Sequence, residues 1–180
     1  MGFGHLAIAV QDMQATHRCY TEAMGFELAK VEVVPQRGGF ARHAFYTTGP
    51  ANDQLIAFWD LSGVPLEREL RTDICRDLGL DPLTNHIAFT ADDLDDIARK
   101  RDRWLAAGHD VLEIDHGWIT SIYTEDPDRI AVEFAVVTKP FSERDAAEAL
   151  DLLRAETPRP GPPPRYVKLH KAADFEPSAN

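Results

Sequence analysis

The sequence predicts an α+β fold of two tandem βαβββ modules, followed by a C-terminal helix and a proline-rich tail. Three observations carry this reading. The segment GHLAIAVQDM at 4–13 returns as NHIAFTADDL at 85–94, each a His, an alternating apolar run, then an acid before Met or Leu. A second echo sets DQLIAFWDL at 53–61 against DRIAVEFAV at 128–136. The strand and helix signals between these echoes run in the same order in both halves. Repetition of a whole pattern over such a distance is a signal of architecture.

The elements follow in order. His5 to Val10 is aliphatic and alternating, a strand. Asp12 opens an amphipathic helix to about Ala23, with Met13, Thr16, Cys19 and Tyr20 at helical spacing, and Gly25 stops it. Strands are expected at 27–34, 40–47 and 54–60, with turns at Gly38-Gly39 and Gly49-Pro50. Residues 62–82 are a connector with a short helix expected over 66–78, ended by Gly79 and Pro82. The second copy then runs as strand 85–90, helix 92–107 stopped by Gly108, and strands 109–114, 118–124 and 129–137. Ser142 with Asp145 reads as a capping pair before a helix over 143–155. TPRPGPPPR at 157–165 is proline-dense and extended. Residues 166–180 are too short and polar for a core of their own. They wrap the body, contact a second subunit, or stay disordered.

Composition narrows the function classes. The chain has 180 residues, 44% of them hydrophobic, with 19 basic against 30 acidic side chains and a net charge of −11. That balance argues against nucleic acid and anionic membrane as partners. No apolar run is long enough to span a bilayer, and strand-like residues begin at once at the N-terminus. Cys19 and Cys75 sit in no CxxC pattern, so a zinc–thiolate site is disfavoured. The reading is a cytoplasmic, reduced protein.

The chemistry lies in the repeats. Alternation puts His5 on one strand face with Ala7 and Ala9, and His86 with Ala88 and Thr90. Glu133 shares its face with Ala131 and Ala135. Small neighbours leave room above the sheet. A carboxylate set between Ile130-Ala131-Val132 and Phe134-Ala135-Val136 needs a compensating cation, either a metal or a basic side chain. Two histidines and one carboxylate at equivalent strand positions suggest three ligands for one metal. Aligned by its letters, the second echo puts Phe58 of the first copy where the second has Glu133.

The stretches GHLAIAVQDMQATHRCYTEAMGFEL, NHIAFTADDLDDI and SIYTEDPDRIAVEF resemble the vicinal oxygen chelate superfamily, which includes glyoxalase I, extradiol dioxygenases, and bleomycin and fosfomycin resistance proteins. The resemblance covers about residues 3–137. It implies paired βαβββ modules whose mixed sheets form a cupped cavity around a divalent metal. On that basis residues 1–140 are the vicinal oxygen chelate domain, with module one at 3–61, the connector at 62–82 and module two at 83–137, and 141–180 are the C-terminal helix and tail. The implied metal ligands are His5, His86 and Glu133. Glyoxalase I-like members have a fourth ligand, a Glu on module one's last strand, where the letters place Phe58 here. A three-ligand site suits Fe(II), with Mn(II), Zn(II) and Ni(II) as alternatives.

DHGWITSIYTEDPD also resembles the extradiol segment that brings a His and a Tyr to the substrate, here His116 and Tyr123. His116 reads equally as a turn residue beside Gly117. Where extradiol enzymes place a catalytic His, at the start of module one's last strand, this chain has Gln54. His43, one strand earlier, could substitute if it faces the cavity. Phe58, His43 and Gln54 are therefore the expected substrate contacts. The leading expectation is extradiol cleavage of a catechol-type aromatic by O2. The alternatives are a glyoxalase-like lyase or isomerase, and a metal-free drug-sequestering protein. A homodimer is expected, and whether one chain or two build the cavity is open.

Overall fold

The computed structural model describes residues 4–49 and 54–177, so Pro50 of the expected Gly49-Pro50 turn lies outside the described residues. Module one holds β1 (His5–Val10), α1 (Met13–Arg18), β2 (Glu27–Gln36), β3 (Gly39–Thr47) and β4 (Leu55–Asp60). Asp12 caps α1 by accepting from the Gln14 and Ala15 backbone N–H groups. The helix widens into a π turn over Cys19–Ala23 before the chain reverses at Gly25. Gly25 has φ +78° and a Cβ there would collide with the Arg103 guanidinium, so glycine is required.

The connector differs from expectation. Its helix is only α2 (Ile74–Asp77), not 66–78. Asp73 caps it by accepting from the Arg76 N–H, and Thr72 just before is anchored by hydrogen bonds with Gln11 and the Asp128 carbonyl. Asp73 itself has φ −81° and ψ 70°, outside the helical region, so the helix starts at Ile74. Module two follows with β5 (His86–Thr90), α3 (Leu94–Ala106), β6 (Val111–Asp115), β7 (Ile119–Glu125) and β8 (Ala131–Val137). The βαβββ order is thus present twice. A helix α4 (Glu143–Arg154) comes next, capped by the reciprocal Ser142–Asp145 pair and burying none of its residues. The tail ends in β9 (Tyr166–His170).

Two sheets result, ordered β1-β4-β3-β2 and β5-β8-β7-β6-β9. In each the opening strand lies parallel to the module's last strand, and the other pairs are antiparallel. β9 adds to the outer edge of β6. His170 Nε2 and the Tyr166 hydroxyl meet the two oxygens of Glu113, each at 2.8 Å, and Asp110 accepts from the Ala172 N–H at 2.9 Å.

The helix-bearing faces of both modules share one core. Phe26 packs 4.9 Å from Phe89 and Trp104 packs 5.3 Å from Phe134, while Phe58 packs 4.4 Å from Tyr20. A buried polar latch ties the modules beside it. The Tyr20 hydroxyl donates to Asp126 at 3.1 Å, and the backbone N–H groups of Asp128 and Ile130 donate to the same carboxylate at 2.9 Å. Asp128 in turn accepts from the Gln11 N–H at 2.8 Å and the Thr16 hydroxyl at 3.3 Å. Ile8, Val10, Ile87 and Phe89 point into or against the core. The alternate faces, carrying His5 and His86, therefore point away from it.

Burial pushes the Asp126 carboxyl up to about 6, and the charge of Asp128 adds to the effect against the hydrogen bonds it accepts. A raised carboxyl pKa means the folded chain holds this proton more tightly than the unfolded chain. Its stabilising contribution is full below pH 4 and is lost as pH rises through about 6. Asp126→Asn, which keeps an acceptor for the two backbone donors, should remove that loss. Its stability relative to wild type should rise by on the order of 2 kcal/mol between pH 4 and pH 7 in urea unfolding.

Candidate metal centre

One row of paired residues crosses all five strands of the second sheet, the four of module two and β9. Ala88 pairs with Glu133, Glu133 with Tyr123, Tyr123 with Leu112, and Leu112 with Leu169. Directly paired residues share a face. His86, two residues before Ala88, lies on that face too. Its Nε2 stands 2.9 Å from Glu133 Oε2. Its Nδ1 lies 2.7 Å from the Leu83 carbonyl, to which it donates. With Nδ1 carrying the hydrogen, a neutral His86 presents a lone pair to a carboxylate oxygen. Glu133 is only 4% exposed. His86 itself is exposed, so the contact is closed either by a proton on Nε2 or by a divalent cation that both atoms ligate. A backbone carbonyl orienting the far ring nitrogen is also the usual support of a metal-binding His.

Tyr123 stands over this pair, its ring 5.9 Å from that of His86. Burial, with Glu133 alongside, pushes its phenol up to about 12. His116 Nε2 lies 3.4 Å from the Tyr123 hydroxyl. The sequence-derived candidates His86, Glu133, Tyr123 and His116 therefore come together.

The module-one candidates form a second group. His5 is exposed, with its ring 5.7 Å from Phe45 and 6.3 Å from His43. His43 is stacked on Trp59 at 3.8 Å and is 7% exposed. Its Nε2 is buried without a hydrogen-bond partner among the described residues. Burial, and the nearby His5, lower the His43 pKa. Among the described residues no three His, Cys, Asp or Glu side chains gather as a metal site, so His5 does not join His86 and Glu133 within the chain. Gln54 is exposed and lines a cleft of about 340 Å3 with Leu6, Leu55 and His86.

Phe58 is corrected as a cavity residue. It is fully buried in the core, packed on Tyr20 and Tyr46. The register shows why. Ala7 pairs with Ala57 as Ala88 pairs with Glu133, so the structural equivalent of Glu133 is Ala57 and that of Phe58 is Phe134. A one-residue slip in a strand moves a side chain to the other face. Ala57, like Phe58, offers no ligand. Asp60 lies on the core-side face and is engaged by Arg42 and Ser62. Trp59 and Phe45 supply aromatic surface near His5 instead.

The duplicated βαβββ modules, each with one sheet face turned from the shared core, define the class of fold. Residues 2–134 match the Glyoxalase family, described as the Glyoxalase/Bleomycin resistance protein/Dioxygenase superfamily, and the chain belongs to it. Among solved structures it is similar to UcmS2, at 17% identity and TM-score 0.57, covering 75% of this chain and 97% of that one. It is similar to the fosfomycin resistance protein FosX of Listeria monocytogenes complexed with Mn(II) and sulfate, at 18% identity and TM-score 0.51, covering 76% and 93%. A glyoxalase I mutant from Zea mays matches at 19% identity and TM-score 0.54, covering 74% of this chain and 44% of that one. These identities speak to the fold alone. No curated protein matches the chain.

His43→Phe should keep the stack on Trp59 while removing the orphaned nitrogen. Stability should rise by about 1 kcal/mol in thermal or urea unfolding, because an unpartnered buried donor or acceptor costs that order of free energy.

Proposed function

We propose that the chain is a metal-dependent enzyme acting on a substrate with two adjacent oxygens, by extradiol cleavage of a catechol-type ring with O2 at a two-His–one-Glu Fe(II) centre. Mn(II) is the closest substitute for this ligand set. The observation that carries the reading is His86 Nε2 facing Glu133 Oε2 at 2.9 Å while Nδ1 is committed to Leu83. The donor set fits a divalent ion with open positions, since Ala57 leaves the fourth protein position empty.

The third ligand is His5 of a second copy. His5 and the His86–Glu133 pair lie on different modules, both on faces turned from the shared core. A homodimer that sets module one of one copy against module two of the other completes the triad. Bound there, the metal supplies Lewis acidity to a chelating hydroxyl and, as Fe(II), electron density for O2.

The chain's own side chains do the rest. Tyr123 stays protonated at neutral pH and donates a hydrogen bond to a substrate oxygen. His116, next to the Tyr123 hydroxyl, takes or returns a proton through it. His43 Nε2, without a hydrogen-bond partner among the described residues, turns to the substrate. Trp59 and Phe45 flank the ring, and Gln54 sits at the lip.

Metal analysis and oxygen-electrode assay with a catechol panel test the reading. Metal bound with turnover of vicinal-oxygen substrates but no O2 uptake would replace it with a lyase or isomerase. Protein with no metal affinity would overturn the enzyme assignment. The shared site has its own test. His5→Ala and His86→Ala should each be inactive alone. After unfolding and refolding as an equal mixture, about a quarter of wild-type activity should return, because half the dimers are mixed and each has one intact site of two.

A further inference from the structure

The matched family pattern stops at residue 134, so β9 lies in the part of the chain beyond it. Its register places it in the site's own row. Leu169 pairs with Leu112, which pairs with Tyr123, which pairs with Glu133. Adjacent strands are about 4.8 Å apart, so Leu169 lies about 14 Å across the sheet from Glu133 on the same face. Between them is a cavity of about 610 Å3 whose apolar walls are Leu83, Leu112, Tyr123, Ala131 and Leu169. It adjoins the centre through Tyr123, which pairs with Glu133, and Ala131, which pairs with His86, while His86 and Glu133 themselves lie outside its lining. Its charged lining is acidic, with Asp81, Asp110 and Glu125, and no Lys or Arg lines it among the described residues.

We infer that β9 is a substrate-selecting wall, and that the substrate has an uncharged or cationic apolar arm running from its chelating end across Tyr123 and Leu112 to Leu169. The inference rests on the proposed function insofar as His86 and Glu133 mark the reacting end. Leu169 is 55% exposed, so apolar surface waits to be covered. An arm ending in a carboxylate would meet three acids, and the one titratable base among the described residues of the lining, His109, has its pKa lowered by burial. A hydroxyl, an alkyl end or an ammonium would not be repelled. Asp110 pairs with Lys171, and Glu125 with Arg76 and Arg129, none of which lines the cavity, so the acids face the cavity with their charge partly compensated from outside.

The test uses the full chain with methyl-labelled leucines, observed by NMR. The probes are n-hexanol, n-hexylammonium and hexanoate. Hexanol and hexylammonium should shift the Leu112 and Leu169 methyls, and hexanoate should need at least tenfold more. A second arm follows binding of 4-alkylcatechols to metal-loaded protein without oxygen. Each added methylene should tighten wild-type binding by about two- to fourfold, and Leu169→Ala should flatten the series. Leu112→Ala serves as a second variant, with melting curves reporting whether each is folded. Equal response to hexanoate, no response of these methyls to hexanol, an unchanged catechol series in both variants, or methyl shifts that follow protein concentration alone would overturn the wall. If hexanol binds as expected while no catechol binds, the wall stands and the ring-cleavage reading fails.

Discussion

The joining of the two modules through their helix-bearing faces governs everything else in this molecule. The apolar part is the aromatic cluster around Phe26, Phe89, Phe134 and Trp104. It is non-directional and would tolerate sliding. Direction comes from Asp126 and Asp128, which hold the β7–β8 turn against Tyr20, Thr16 and Gln11 of the other module. Buried carboxylates are tolerated only when their oxygens are hydrogen-bonded. A shift of one module against the other would orphan several of these groups at once. Once that interface is set, the outward face of each sheet is set with it, and so is the separation of His5 from His86 and Glu133.

The centre carries the opposite physics. The latch satisfies its buried polar groups, whereas the centre leaves some short. His86 Nε2 faces a carboxylate, and His43 Nε2 has no hydrogen-bond partner among the described residues. Such deficits lower the stability of the free chain and can be relieved by a cation, a substrate or a second copy. Stability and function trade against each other at such positions. Tyr123 sits between the two regimes. It is buried enough to stay protonated, yet its hydroxyl is within reach of His116 and beside Glu133.

Much of this was readable from the chain. Strict alternation in HLAIAV and HIAFT, Asp12 and Asp93 at helix starts, and Gly25 and Gly108 at helix ends fix the modules by local chemistry. The grouping of His86, Glu133, Tyr123 and His116 follows from the same alternation. Phe58 failed because the echo was aligned by letters. DQLIAF and DRIAVEF look collinear, but the turn before β8 takes one more residue, and Arg129 adopts φ +64° there. Only backbone pairing reveals such a slip. The connector helix is shorter than its pattern suggests because Asp73 takes a non-helical backbone and caps it, while Thr72 beside it ties its side chain to Gln11 and Asp128, partners distant in sequence. The latch was hidden for a similar reason, since TEDPD reads as an ordinary turn. β9 had a faint signal in the alternation of Val167 and Leu169, but five residues after a proline run do not announce a pairing partner.

The added strand has a consequence for self-association. Without it, β6 would present its backbone N–H and C=O groups as the sheet's open edge, ready to template a strand from another molecule. β9 takes over that exposure in a less sticky form. It is five residues long, carries Lys168 at its middle, and follows the proline-dense run at 157–165. Proline has no N–H to offer, so a ladder growing past Arg165 would lose its donors at Pro164, Pro163 and Pro162. The tail thus trades an edge flanked by ordinary chain for one that ends itself, which should keep the protein dispersed at high concentration.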